Sequence, residues 1–206
     1  MFDETLIDFW TDGPPGEAAT AVAGPEVVRL GSTGKSFWGG LRVGWIRAEP
    51  QIVMALANTR ASLDLGTPIL EQLAAAELLT DDGEALAHRR AEVGLRRRRL
   101  LELLGRHLAD WRMWGVAGGL SVWAELPNPV STALAAASPR HGLRIAAGPR
   151  FGVGGAFERF VRLPFTLPTD RLDEAVLRLA RAYTDVRGDY GARRLKTESG
   201  LRTDIF

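Results

Sequence analysis

The chain has 206 residues, 46% of them hydrophobic, and a formal net charge of +1. That length suits one domain or two small ones, and the apolar fraction supports a sizeable core and excludes global disorder. Near-neutral charge gives no general reason for a polyanionic partner. The absence of cysteine excludes disulfides and thiolate metal sites, and His88, His107 and His141 are too scattered for a metal cluster.

"MFDETLIDFW" opens the chain with almost no lead-in, and "TDGPPGEAATAVAGPE" follows as a Pro/Gly/Ala loop. The N-terminus lacks the basic-then-apolar order of a signal peptide, and no apolar run approaches a membrane span. The expectation is a soluble, cytoplasmic protein without membrane contact. "VVRLGS" predicts a short strand stopping at Gly31, and "RVGWIRA" predicts another. Residues 50–62 predict a helix with proline in its first turn. In "GTPILEQLAAAELL", Thr67 is a candidate N-cap, Pro68 opens the helix, and Ile69, Leu73 and Ala76 share one face. A long helix is predicted over 84–108, with Leu86, Val93, Leu100, Leu104 and Leu108 as its apolar stripe.

Beyond it the period changes. "WRMWG" is strand-like. In "LSVWAELP", Leu120, Val122, Ala124 and Leu126 alternate with Ser121, Trp123 and Glu125. "STALAAASPRHG" predicts a short helix, and "LRIAAG" and "RFVRLPF" predict strands. "TDRLDEAVLRLARAY" closes with Leu172, Val176, Leu179 and Tyr183 aligned and Asp173 and Glu174 near its positive end. The order predicts the edge of an α/β layer followed by a small α+β domain, with the boundary inside the long helix.

"GSTGKS" at 31–36 invites a P-loop reading, but that motif needs a glycine where Arg29 stands, and Gly39-Gly40 would break the helix it requires. Lys35 on a glycine-rich turn can instead reach a cleft and form a Schiff base with a carbonyl, or simply be solvated. Lys35 and Lys196 are the two lysines among 26 basic residues, and a guanidinium cannot become a neutral nucleophile. Ser32 adds a hydroxyl and Arg42 a fork suited to phosphate, so the turn combines an anion pocket with a reactive amine.

"GSTGKSFWGGLRVGW" resembles the cofactor-lysine segment of fold type I pyridoxal-phosphate enzymes, the aspartate aminotransferase superfamily. With "DETLIDFW", "AGGLSVWAELP", "GPRFG" and "FVRLPFTLP", the chain is similar to the aminotransferase-like domain of MocR-type regulators, GntR-family fusions of a winged helix-turn-helix to that fold. The resemblance covers nearly the whole chain to about residue 184. It implies an α/β fold, the C-terminal half of the PLP-dependent transferase architecture. Residues 1–83 would form the C-terminal part of the large domain, 84–184 a small α+β domain, and 185–206 a flexible tail.

The resemblance also implies roles. Lys35 would bind pyridoxal 5'-phosphate as a Schiff base and shuttle a proton. Asp3 would pair with the pyridine nitrogen, Ser32 and Arg42 would hold the phosphate, and Arg162 would grip a substrate carboxylate. By residue type alone Asp3 also reads as a helix cap or surface acid, and Arg162 as an exposed sheet arginine. Leu6 stands where the enzymes commonly carry tyrosine, and Gly34 where a second serine is common; Ser36 could supply that hydroxyl. The implied ligand is an amino acid or amine, as substrate or effector, and the full-length family implies a homodimer. Nucleic-acid contact is not expected from this chain, because a DNA-binding domain would lie upstream. Three functions remain: part of a transaminase, an effector-sensing domain without turnover, or a truncated remnant. The expectation for the chain alone is no transamination. "RRRR" at 96–99 reads as a solvated helix face, flanked by Glu92 and Glu102. The six tryptophans read as core or packing residues.

Overall fold

A computed structural model describes residues 1–11, 13–14, 24–80, 83–114 and 117–200, with side chains to 192. Most of the Pro/Gly/Ala loop, the Lys196 side chain and the last six residues lie outside the described residues. The chain divides into two compact units, Met1–Gly94 with Ala117–Leu120, and Leu95–Val116 with Ser121–Phe206.

The first unit contains strands β1 (Phe2–Asp3), β2 (Arg29–Ser32) and β3 (Gly44–Arg47), paired in that order. β1 runs parallel to β2, placing Asp3 beside Leu30, and β3 runs antiparallel, placing Trp45 opposite Gly31. A Cβ on Gly31 would fall 2.2 Å from the Trp45 indole, so glycine is what lets that ring lie across the ladder. Helix α1 (Thr33–Ser36) follows β2 directly, and a 3-10 turn (Gly39–Leu41) precedes β3. Helices α2 (Pro50–Arg60) and α3 (Ile69–Thr80) come next, and α4 (Glu84–His107) begins in this unit. Pro50 sits in the first turn of α2, where its missing N–H costs nothing.

The first unit leaves one apolar helical face bare and one candidate cap unused. Ile69 and Leu73 are 74% and 62% exposed, and Ala75 is the buried residue of α3. The apolar period is present, but the described residues of this unit offer that face nothing to cover it. Thr67 is not a side-chain cap: its hydroxyl accepts from Arg60 at 3.0 Å, and its carbonyl, not its hydroxyl, accepts from the Gln72 side chain at 2.7 Å.

The second unit starts on α4 and contains β4 (Arg112–Trp114), β5 (Ser121–Glu125), α5 (Ser131–Ala137), β6 (Ala146–Ala147), β7 (Phe160–Pro164) and α6 (Thr169–Gly200). Its sheet is antiparallel in the order β4-β5-β7-β6. The alternation in β5 and β7 buries Val122, Ala124, Leu126, Val161, Leu163 and Phe165, while Arg162 stays exposed. Leu100, Leu104 and Leu108 of the α4 stripe are buried, as are Leu172, Val176, Leu179 and Tyr183 of α6. Burying each large apolar side chain contributes about 1.5–3 kcal/mol.

α6 keeps helical backbone to Gly200, past 185 where a loose tail was expected. The arginine run is not uniformly solvated either. Arg96 donates to the Thr166 carbonyl at 2.7 Å, and Arg99 forks onto Asp173 at 2.7 and 2.5 Å, tying α4 to the start of α6. The hydrogen bonds of that fork hold the Asp173 carboxyl below its usual range. The tryptophans divide: Trp111 is buried, whereas Trp38, Trp45 and Trp114 are exposed.

Candidate functional site

The first unit places three of the expected residues around one cavity. β2 ends at Ser32, which caps α1: its Oγ accepts from the Gly34 N–H at 3.0 Å. Lys35 therefore sits in a single helical turn, rather than on a loop directly after a strand. Arg42 follows the 3-10 turn with φ 54°, in the left-handed region. For a residue with a Cβ that conformation costs roughly 1–2 kcal/mol, and surrounding contacts must impose it. They do so at the next residue. The Val43 carbonyl accepts from the Thr33 N–H at 3.1 Å, the Thr33 hydroxyl at 3.0 Å and the Ser32 hydroxyl at 3.4 Å.

The cavity between these turns has a volume of about 320 Å³ and is lined by Ser32, Gly34, Lys35, Gly39, Arg42 and Gly44, with Val43. Lys35 and Arg42 are exposed. Among the described residues, neither has a carboxylate within ion-pair distance. Two uncompensated cations facing one small, glycine-lined hollow suit a compact anion such as a phosphate. A Cβ on Gly34 would come 3.3 Å from Ser32 Oγ, so a side chain there would crowd the cap.

Asp3 lies at the end of β1, beside Leu30 and two residues from the capping Ser32 on the neighbouring strand. It is exposed, and the Thr5 N–H bonds its Oδ1 at 3.0 Å. That bond holds the Asp3 carboxyl below its usual range and keeps it ionised. Leu6 is 40% exposed and offers no hydrogen bond. Ser36 does not stand in for the missing serine: it is buried, and its hydroxyl donates to Asp8 Oδ2 at 3.1 Å. Its helical position turns it away from the cavity that Lys35 lines.

Arg162 belongs to the second unit. It lies on the exposed face of β7, with its guanidinium 4.7 Å from the centroid of the Phe151 ring. Phe151 ends a 3-10 turn (Gly148–Phe151) that only glycine permits, since a Cβ on Gly148 would lie 1.9 Å from the Phe157 carbonyl oxygen. Sequence reasoning did not assign roles to Phe151, Thr33, Val43 or Thr5. For Phe151 the "GPRFG" motif carried a signal; the backbone partners of the others carried none. Among the described residues no helix is long and apolar enough to cross a membrane, and no metal-ligating cluster occurs.

The family described as Aminotransferase class I and II matches residues 1–179. The 2-aminoadipate transaminase of Thermus thermophilus is 33% identical over 171 residues, which cover 81% of this chain and 43% of that protein. An uncharacterized HTH-type transcriptional regulator of Bacillus subtilis (strain 168), YdeF, is 27% identical over 177 residues, covering 84% of this chain and 38% of that protein. Among solved structures, the α-aminoadipate aminotransferase LysN of Thermus thermophilus, complexed with N-(5'-phosphopyridoxyl)-L-leucine, matches with a TM-score of 0.83 and 28% identity. That match covers 90% of this chain and 50% of the other. The chain thus spans half or less of the length of these relatives.

Proposed function

The chain belongs to the class I and II aminotransferase family, and on that premise we propose that it contributes a pyridoxal 5'-phosphate site and an amino-acid carboxylate receptor. The observation that carries the reading is the cation-lined hollow at the β2–α1 turn, where Ser32, Lys35 and Arg42 meet. Its donors fit a phosphate-bearing aldehyde: a hydroxyl and a guanidinium for the phosphate, and a primary amine for the carbonyl carbon.

When bound, the cofactor supplies an electron-withdrawing ring that takes up the charge left as a proton leaves the ligand's α-carbon. The protein's residues divide the remaining work. Lys35 Nζ would hold the aldehyde carbon, with release of water, and once freed from it would be the atom able to carry a proton. Arg42 and Ser32 hold the phosphate. Asp3, kept ionised by Thr5, favours a protonated ring nitrogen. Arg162 receives the carboxylate of the amino-acid ligand, its fork offering two parallel N–H donors.

A second reading, effector sensing without turnover, draws support from HTH-type regulators of Bacillus subtilis that are 27% and 30% identical. In either reading the working form is a homodimer, which sedimentation of the chain tests. Borohydride reduction with pyridoxal phosphate, followed by peptide mapping, tests the site. The expected label is on Lys35, reduced in Arg42→Ala and absent from Lys196. Equal labelling of both lysines would reduce the site to nonspecific amine modification. Adding an amino acid to the unreduced complex separates the readings: loss of the bound cofactor's absorbance supports transamination, and amino-acid binding without that loss supports sensing.

A further inference from the structure

We propose that the aromatic pocket beside Arg162 selects the side chain of the ligand, and that the ligand is a monocarboxylic amino or 2-oxo acid with an aromatic side chain. The inference deepens the reading of Arg162 as a carboxylate receptor and rests on it.

The register of the second sheet builds the pocket. Trp114 pairs with Trp123, Trp123 pairs with Arg162, and Arg162 pairs with Ala146, so these four form one row across β4, β5, β7 and β6. Directly opposed residues place their Cβ atoms about 4.5–5.5 Å apart. One small ligand can therefore touch both the guanidinium and the neighbouring indole. Phe160 stands two residues from Arg162 on the same face of β7, and its ring stacks on Trp123 with centroids 5.3 Å apart and planes 11° apart. Trp123 also meets Phe151 edge-on at 5.6 Å. The same Phe151 ring lies under the Arg162 guanidinium, so the cation and the indole are braced by one aromatic.

The resulting cavity is about 390 Å³, lined by Trp114, Ser121, Val122, Trp123, Phe160 and Arg162. Trp114 is 45% exposed, and Trp123 and Phe160 are partly exposed, so ring surface remains open. Ala146, on the other side of Arg162, leaves the approach unobstructed by a large side chain.

Charge decides against a second carboxylate. The Trp114 Nε1–H donates to Glu125 at 3.0 Å, and the Arg112 guanidinium lies 4.3 Å from the centroid of the Trp114 ring. That end of the row carries one charge of each sign. Among the described residues lining the cavity, Arg162 is the cation. A dicarboxylate would leave its distal charge against aromatic faces, which are electronegative. An aromatic side chain would stack there instead.

The test titrates the full chain, without pyridoxal phosphate, with phenylpyruvate, pyruvate and 2-oxoglutarate. Binding is followed by the shifts of the tryptophan Nε1–H signals. Phenylpyruvate is expected to bind about tenfold tighter than pyruvate, the gain of one aromatic contact. 2-Oxoglutarate should bind no tighter than pyruvate. Trp123→Ala should abolish the phenylpyruvate advantage, so that the two acids bind with equal affinity, and Trp114→Leu, at an exposed position, should reduce the same advantage in a chain whose circular dichroism is unaltered. Arg162→Ala should weaken both acids. Preference for 2-oxoglutarate, absence of phenylpyruvate binding, or an unchanged ratio in both tryptophan variants overturns the proposal, as does undiminished affinity in Arg162→Ala. Because no cofactor is present, failure of Lys35 labelling leaves this measurement standing, and the reverse also holds.

Discussion

The two units differ in how completely they bury their apolar side chains. In the first unit the fully buried apolar side chains among the described residues are Phe9, Leu41, Ala75 and Val93; the remainder belong to the second unit. Every residue of β3 is exposed, and Met54, Leu63, Leu65, Ile69, Leu70 and Leu73 stand out on the first unit's surface. The second unit buries the apolar stripes of α4, α5 and α6 together with one face of its sheet. The difference teaches that a turn's local geometry can be fixed where little core surrounds it. The Ser32–Lys35–Arg42 turn is fixed by short-range bonds to Gly34 and Val43, and these do not depend on a large core.

The sharpest way to break this comparison is to truncate matched apolar residues. Leu104→Ala and Phe165→Ala remove side chains that are 0% exposed, and each should cost about 3–5 kcal/mol in urea unfolding. Leu65→Ala and Ile69→Ala, at 109% and 74% exposure, should change stability by less than about 0.5 kcal/mol. Large losses at Leu65 and Ile69 would mean that this face is covered in solution.

A smaller effect sharpens it. Ser36→Ala removes the buried hydroxyl that bonds Asp8 and should cost about 1 kcal/mol. Because the bond is local to the first unit, amide exchange should accelerate over 33–41 and remain unchanged at Ala124 and Val161. Uniform acceleration would show one cooperative body.

The smallest effect concerns pH. The Asp173 carboxyl has its folded value lowered from 3.8 by Arg99, so its contribution is complete above 3.8 and is lost as pH falls through the lower folded value. Asp173→Asn should therefore be mildly destabilising at neutral pH and should make the acid limb of the second unit's unfolding shallower. The pair is well exposed, which keeps the effect small. An acid limb identical to the parent's would remove this pair from the stability of the second unit.

Much of the molecule was legible in its amino acids because the relevant signals are local. The period-2 alternation of 120–126 named the buried face of β5, since a strand allows its side chains only two directions. The α4 and α6 stripes were equally clear. Ser32, Lys35 and Arg42 lie within eleven consecutive residues, so any compact turn would gather them, and their shared cavity followed from spacing. Tertiary structure alone decided the rest. It decided that Ser36 bonds Asp8 and that Thr67 caps nothing, because hydroxyls choose among partners that the fold supplies. It decided that the Ile69–Leu73 face is bare, because a helical period states which side is apolar and not whether anything covers it. It decided that Trp114, Trp123 and Arg162 share a row, because strand register joins residues 48 positions apart that no local pattern connects.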